Sequence, residues 1–269
     1  MRISRALGVE SMTRAGTAAA ATGAVLSLLA VSVGDIASAA RKPAVLQLAA
    51  GARVGVVNLL DSEVTHFHSS RQLQNSFLKT YSVGWPVAAM LMQAVREDLT
   101  QVGLVPVAAA PSETLARARE TCFLNASLGK GLPKACGRLY AQLATSEHLD
   151  ALIVLGPGLN DSAHAVGGRR RALPEYLRGW CVVSEEGAGA NAPSLLNLTE
   201  LLLVGLTARG AELDARQWGG DQNQAWTGFK PPADLKELGN PQLDELQPLF
   251  AAMLKQQAGN VLGHIQVKR

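Results

Sequence analysis

Two histidines stand one residue apart in EVTHFHSSRQ, residues 63–72. The stretch alternates apolar and polar residues as a β-strand does, and in a strand side chains two apart share a face. His66 and His68 therefore point the same way and can grip one metal ion, provided that a third ligand arrives. Neither Asp nor Glu follows within SSRQLQNSF, and His148, Asp161 and His164 are the more distant candidates. Nothing in the spacing brings them near. The simpler expectation is a polar strand edge facing solvent, with no cofactor bound.

A second set of residues carries hydrolytic chemistry. Asp61-Ser62 directly follows the apolar run RVGVVNLL (53–60), and GPGLND (156–161) follows another apolar run. These blocks resemble those of the lipase-esterase type of serine hydrolase that carries a glycine–aspartate–serine motif. The resemblance implies Ser62 as nucleophile and Asn160 as an oxyanion donor, with backbone N–H groups completing the hole. Leu60 departs from it, standing where the motif has glycine. Ser62 is also left without an assigned base, and a hydroxyl without one is a poor nucleophile.

A third set is basic. VGGRRRALPEYLRG (166–179) gathers Arg169, Arg170, Arg171 and Arg178 behind two glycines. Guanidinium groups hold phosphate or carboxylate oxygens two at a time, so this loop suits an acidic partner surface. A solvated loop is the alternative. EEGAGANAPS (185–194) has glycines but no Lys-Ser or Lys-Thr after them, which leaves nucleotide binding without support.

The elements that must position these residues begin after an export signal. Residues 1–40 combine Arg2, Arg5 and Arg14 with the apolar stretch AAAATGAVLSLLAVSV (18–33) and the small residues SAA (38–40). The apolar run falls short of the roughly 20 residues that span a bilayer, and Gly34-Asp35 interrupts it. The expected product is periplasmic or secreted, starts near Ala40 or Arg41, and has no transmembrane segment. Its net charge is then about +2, too small to argue for nucleic acid. Cys122, Cys136 and Cys181 follow the signal. A Cys122–Cys136 disulfide suits an oxidising compartment; three reduced, buried thiols are the other reading.

Residues 41–269 suit one α/β domain. RVGVVNLL and DALIVLGPG (150–158) are apolar on both faces, the mark of strands covered from two sides. Val87, Leu91, Val95, Leu99 and Val102 recur at helical spacing, and Gly103 ends that helix. LVPVAAA (104–110) returns as a strand. Helical stretches from Pro111 to about Ala126 and from Pro133 then lead to DALIVLGPG, making an N-terminal crossover unit. LRGWCVVS (177–184), TELLLVGLTARG (199–210) and AELDARQWGG (211–220) read as strands, the last two joined in an antiparallel hairpin by a turn at Arg209-Gly210. Trp180 and Trp218 are placed in these strands, and Trp226 in an exposed loop. A C-terminal helical segment, about 240–266, is capped by Asn240 and breaks near Pro248. The class is therefore α/β to α+β, a mixed sheet with packed helices.

RVGVVNLL followed by MLMQAVREDLTQVGLVPV (90–107) resembles the α/β domain of bacterial periplasmic accessory proteins, such as the curli-secretion lipoprotein and the amino-terminal domain of the Tol-system propeller protein. The resemblance implies binding to an envelope protein and transfers no functional residues. The expected function is an exported protein that acts through binding, without a catalytic site of its own, holding its partner by loop 166–178 and neighbouring sheet edges. The alternative is a secreted hydrolase, metal-dependent through His66 and His68 or serine-based through Ser62.

Overall fold

The computed structural model describes residues 45–127, 131–158, 163–166, 169–172, 177–186, 193–208, 210–219, 222–232 and 234–268, with backbone alone for 73, 124–127, 163–166 and 169–172. Residues 1–40, expected to be an export signal, lie outside these residues, as do Asn160 and Asp161.

The strand β1 (Leu46–Ala49) precedes β2 (Arg53–Asn58), where Val54, Val56 and Val57 are all buried. After β3 (Glu63–Ser69) and β4 (Phe77–Ser82), helix α1 (Val87–Gln101) ends at Gly103, whose φ of 83° suits a residue without Cβ. Strand β5 (Val105–Ala108) then pairs parallel with β2. Helices α2 (Glu113–Ser127) and α3 (Lys134–Ser146) lead to β6 (Ala151–Pro157), which pairs parallel with the other edge of β2. A short antiparallel hairpin follows, β7 (Ala163–Val166) and β8 (Arg169–Ala172).

Strands β9 (Gly179–Glu185), β10 (Ser194–Thr207), β11 (Gly210–Trp218) and β12 (Asn223–Ala225) come next, and every pairing that β10 makes is antiparallel. Helix α4 (Asn240–Leu262) and β13 (Ile265–Lys268), parallel to β1, complete the order. The main sheet runs β4-β3-β9-β10-β6-β2-β5, with β11 and β12 also on β10. Parallel pairs around β2 and antiparallel pairs around β10 make this a mixed sheet, an α+β fold. No helix among the described residues is long and apolar enough to cross a membrane.

Alternation along the central strands feeds two cores, one on each face. Val54, Val56, Ile153, Leu201 and Leu203 pack with buried residues of α1 and α4. Val57, Leu152, Val154, Leu202 and Val204 pack with those of α2 and α3. That double coverage is why β2 and β6 are continuous apolar runs. In the second core Phe123 lies against Gly156, where a Cβ would come within 2.3 Å of the ring. Cys122 and Cys136 are joined by a disulfide there, linking α2 to α3, while Cys181 is a free, buried thiol. Replacing both bridged cysteines with alanine is expected to lower unfolding free energy by about 3 kcal/mol, the entropy that so short a loop removes from the unfolded chain. Urea denaturation checks this. Wild type under reductant should melt with the double variant.

Several expectations are corrected. Residues 77–82 follow a stretch rich in Ser, Gln and Asn and read in sequence as part of a polar loop before α1. They form β4, because Phe77, Lys79 and Tyr81 fall opposite His68, His66 and Val64 of β3. The arginine-rich segment 166–178, expected as a loop, holds β8, paired with β7 just before it, and Arg169, Arg170 and Arg171 fall on β8. Trp226 is buried at 1% exposure and packs beside Phe229, ring centres 4.7 Å apart. Helix α4 begins one position earlier than expected, with Gly239 as cap and its N–H donated to Gln242 Oε1 at 3.0 Å. It does not break at Pro248. Proline removes one N–H, but Leu246 and Phe250 on either side of it are fully buried and hold the helix onto the core. The helix ends at Leu262, and the last residues turn into β13.

Candidate functional site

Strand β3 is no edge. It lies between β4 and β9, and its alternation places Val64, His66 and His68 on the buried face. His66 is fully buried and His68 nearly so. Register with β9 sets His68 opposite Ser184, and Ser184 shares a face with Trp180 and Val182. The Ser184 hydroxyl lies 2.7 Å from His66 Nε2 and 2.8 Å from His68 Nδ1. The Phe77 ring covers both imidazoles, edge-on to His66 at 4.9 Å and stacked on His68 at 5.1 Å.

A hydroxyl has one proton, so it donates to one imidazole and accepts from the N–H of the other. His66 Nδ1 is buried without a hydrogen-bond partner among the described residues. The pattern that leaves no orphaned N–H there has His66 Nε2–H donating to Ser184 and Ser184 donating to His68 Nδ1. Burial, and then the neighbouring His68, push the His66 pKa down to about 4. Burial also lowers that of His68, against the pull of Glu186. Both rings are therefore neutral at pH 7. The donor set is two nitrogens and one hydroxyl, and among the described residues no three His, Cys, Asp or Glu side chains form a ligand group. The arrangement is a neutral pin between two strands, closed over by an aromatic ring.

A second constellation sits at the carboxyl ends of β2 and β6, the end of a parallel sheet where ligands most often bind. A cleft of about 120 Å³ opens there between the turn after β2, the start of β9 and α2. Asp61 in its wall takes both arms of the Arg119 guanidinium, Nη1 to Oδ1 at 2.6 Å. Arg178, just before β9, reaches Glu120 of α2 at 3.2 Å. Glu63, Thr65 and Pro157 also line the rim.

The residues singled out in the sequence are thus divided. His66 and His68 come together, but on Ser184 and not on a third metal ligand. His148 lies in the turn between α3 and β6, its carbonyl accepting from Arg53 Nε at 3.0 Å. His164 falls on β7, where the backbone alone is described. Asp161 precedes His164 by three residues, the interval at which the hydrolase pattern keeps its base and orienting acid. Ser62 donates its hydroxyl to the Trp85 carbonyl at 2.9 Å, and no imidazole hydrogen-bonds it among the described residues. Arg178 reaches the cleft. Sequence reasoning missed Ser184, Phe77 and the Asp61–Arg119 fork. The alternation Trp180, Val182, Ser184 was the available signal for the first, but which strand would face it was not written locally.

No family model matches the chain, and no curated protein matches it. A structural match is a dodecameric PelC variant from Paraburkholderia phytofirmans, at 10% identity and a TM-score of 0.28, covering 84% of this chain and 95% of that one. So loose a superposition carries neither fold nor activity across.

Proposed function

We propose that the chain is an exported protein of the cell envelope, periplasmic or secreted, that acts by binding an acidic surface of a partner protein. The observation that carries the reading is the root of the arginine hairpin. The segment bearing β7 and β8 leaves the cleft wall at Pro157 and rejoins it at Arg178, and Arg169, Arg170 and Arg171 fall together on β8. The cleft's own guanidinium groups, Arg119 and Arg178, are by contrast already paired with Asp61 and Glu120. Export is supported by the signal-like residues 1–40, and an envelope partner by the resemblance of residues 53–60 and 90–107 to periplasmic accessory domains.

The test uses an acidic probe, a polyglutamate peptide, titrated calorimetrically against wild type and an Arg169→Ser, Arg170→Ser, Arg171→Ser triple variant. The variant is expected to bind at least about tenfold more weakly, the equivalent of about 1.4 kcal/mol, and to lose much of its salt dependence. Equal affinity would count against the arginines. Export is checked separately, by amino-terminal sequencing of protein recovered from the envelope fraction, with a start near Ala40 or Arg41 expected.

A serine hydrolase is the second reading, favoured by one observation: Asp61 and Pro157 line the same cleft, so the two hydrolase-like blocks share one end of the sheet. Against it stands the Ser62 hydroxyl, already held by Trp85. Short-chain ester turnover that disappears in Ser62→Ala would decide for it.

A further inference from the structure

Strands β3 and β9 wall the cleft with Glu63, Thr65 and Gly179, and farther along they are tied to each other through His66, His68 and Ser184. We propose that this cluster is a proton-operated latch: it holds β3 to β9 while both imidazoles are neutral and frees the two strands, with the cleft wall they form, when His66 takes up a proton.

The geometry supplies the reason. A protonated His66 has two N–H donors, one facing Ser184 and one at Nδ1, where no described residue accepts it. If both rings are charged, the Ser184 oxygen faces two N–H groups and its own proton has no acceptor. Buried charge without a partner is unfavourable, so the closed arrangement resists protonation.

The surrounding groups do little to relieve it. From β4, Lys79 stands opposite His66 in register and is itself bound to Glu237 at 2.8 Å, with Tyr81 beside it. From the segment before α4, Lys236 sits 5.8 Å over the Phe77 ring, near Asp234. After β9, Glu186 attracts a proton to His68, but its carboxylate is hydrogen-bonded by the Ser70 hydroxyl. Glu185 falls on the alternate position of β9, and Glu63 lies at the cleft end of β3. No carboxylate hydrogen-bonds either imidazole among the described residues.

The sign follows from the direction of the His66 shift. The ring binds a proton with an ordinary pKa of 6.5 when the strands part and of about 4 when they are closed. Closure is therefore complete above pH 6.5 and weakens as pH falls from there toward 4. At pH 5 the opening equilibrium is favoured by about 30-fold over its neutral value.

Amide hydrogen exchange on the full chain at pH 7.5 and 5.0, corrected for intrinsic rates, reads this directly and needs no partner. Opening of β3 and β9 is expected to rise by about that factor while β2 and β6 hold. His66→Phe, which keeps the ring volume and cannot protonate, should cut the rise to the part that His68 contributes. If that variant does not fold, the His66 ring resonance in wild type serves in its place, with titration expected below pH 5. Unchanged exchange in β3 and β9, an equal rise in β2 and β6, or an ordinary His66 titration near 6.5 would each overturn the latch.

Discussion

Trp180→Ala is expected to lower the free energy of unfolding by about 4 kcal/mol and the melting temperature by on the order of 10 °C. The indole is 1% exposed on β9 and meets two other rings, Phe250 of α4 stacked at 5.5 Å and Trp85 before α1 at 5.5 Å. Trp85 and Phe250 themselves stand 6.1 Å apart, so three elements distant in sequence converge on one aromatic group. Removing the central ring leaves a cavity that two rigid neighbours cannot fill. Trp180→Phe should restore more than half of the loss. The Trp180 Nε1 has no hydrogen-bond partner among the described residues, so phenylalanine gives up area and no bond. Urea denaturation of the three proteins measures it. A loss below about 1 kcal/mol in the alanine variant would mean that the trio is not a keystone.

A second large loss, also about 4 kcal/mol, is expected for Gln257→Leu. Gln257 is fully buried on α4 and makes four hydrogen bonds to the sheet. Its oxygen accepts from Asn197 Nδ2 at 3.2 Å and Thr199 Oγ1 at 3.1 Å. Its nitrogen donates to the Thr199 carbonyl at 3.3 Å and the Gln217 carbonyl at 2.7 Å. Leucine fills similar space but withdraws a partner from each group. Asn197 Nδ2 keeps Gln222 Oε1 and the Thr199 carbonyl keeps the Gly219 N–H, while the Gln217 carbonyl loses its 2.7 Å bond. An unsatisfied buried polar group costs about 1–3 kcal/mol. The single Thr199 hydroxyl proton is shared with Asn197 Oδ1, the nearer acceptor at 2.7 Å, and Gly219 leaves no room for a Cβ beside Asn197. The network therefore has little freedom to rearrange. Gln257→Glu separates bonding from shape: it keeps the accepting oxygens and loses the donor, and its defect should grow with pH as the carboxyl ionises. Stability near that of wild type in Gln257→Leu would show that solvent reaches these carbonyls.

Asn197-Leu-Thr has the form of an Asn-x-Thr glycosylation acceptor, and the network accounts for both of its polar residues. Both polar side chains are turned inward to Gln257 and buried, so the match to a glycosylation acceptor is a coincidence of packing. Such a site reads the same in sequence whether it points to solvent or to a helix.

Legibility varied with the range of the interaction. The continuous apolar runs of β2 and β6 announce burial on both faces, because each strand supplies alternate side chains to two cores. The crossover units, Gly103 as the end of α1 and the β10–β11 hairpin follow likewise from periodicity and turn chemistry. Pro248 was misjudged because local propensity counts the missing N–H and cannot count Leu246 and Phe250 packing on either side. Strand β4 was missed for a related reason: the inward half of its alternation is Phe77, Lys79 and Tyr81, polar enough to pass for loop until β3 and the segment carrying Glu237 are laid against it.

Period two in EVTHFH determined by itself that His66 and His68 share a face, and the cysteine spacing left the Cys122–Cys136 bridge open as one of two readings. Only the tertiary structure decided that this face is interior, that a serine 116 residues beyond His68 completes the cluster, and that Phe77 closes it. Alternation is a property of one strand, set by backbone geometry. Whether a strand is an edge, and which hydroxyl it meets, depends on neighbours brought alongside by pairing across more than a hundred residues.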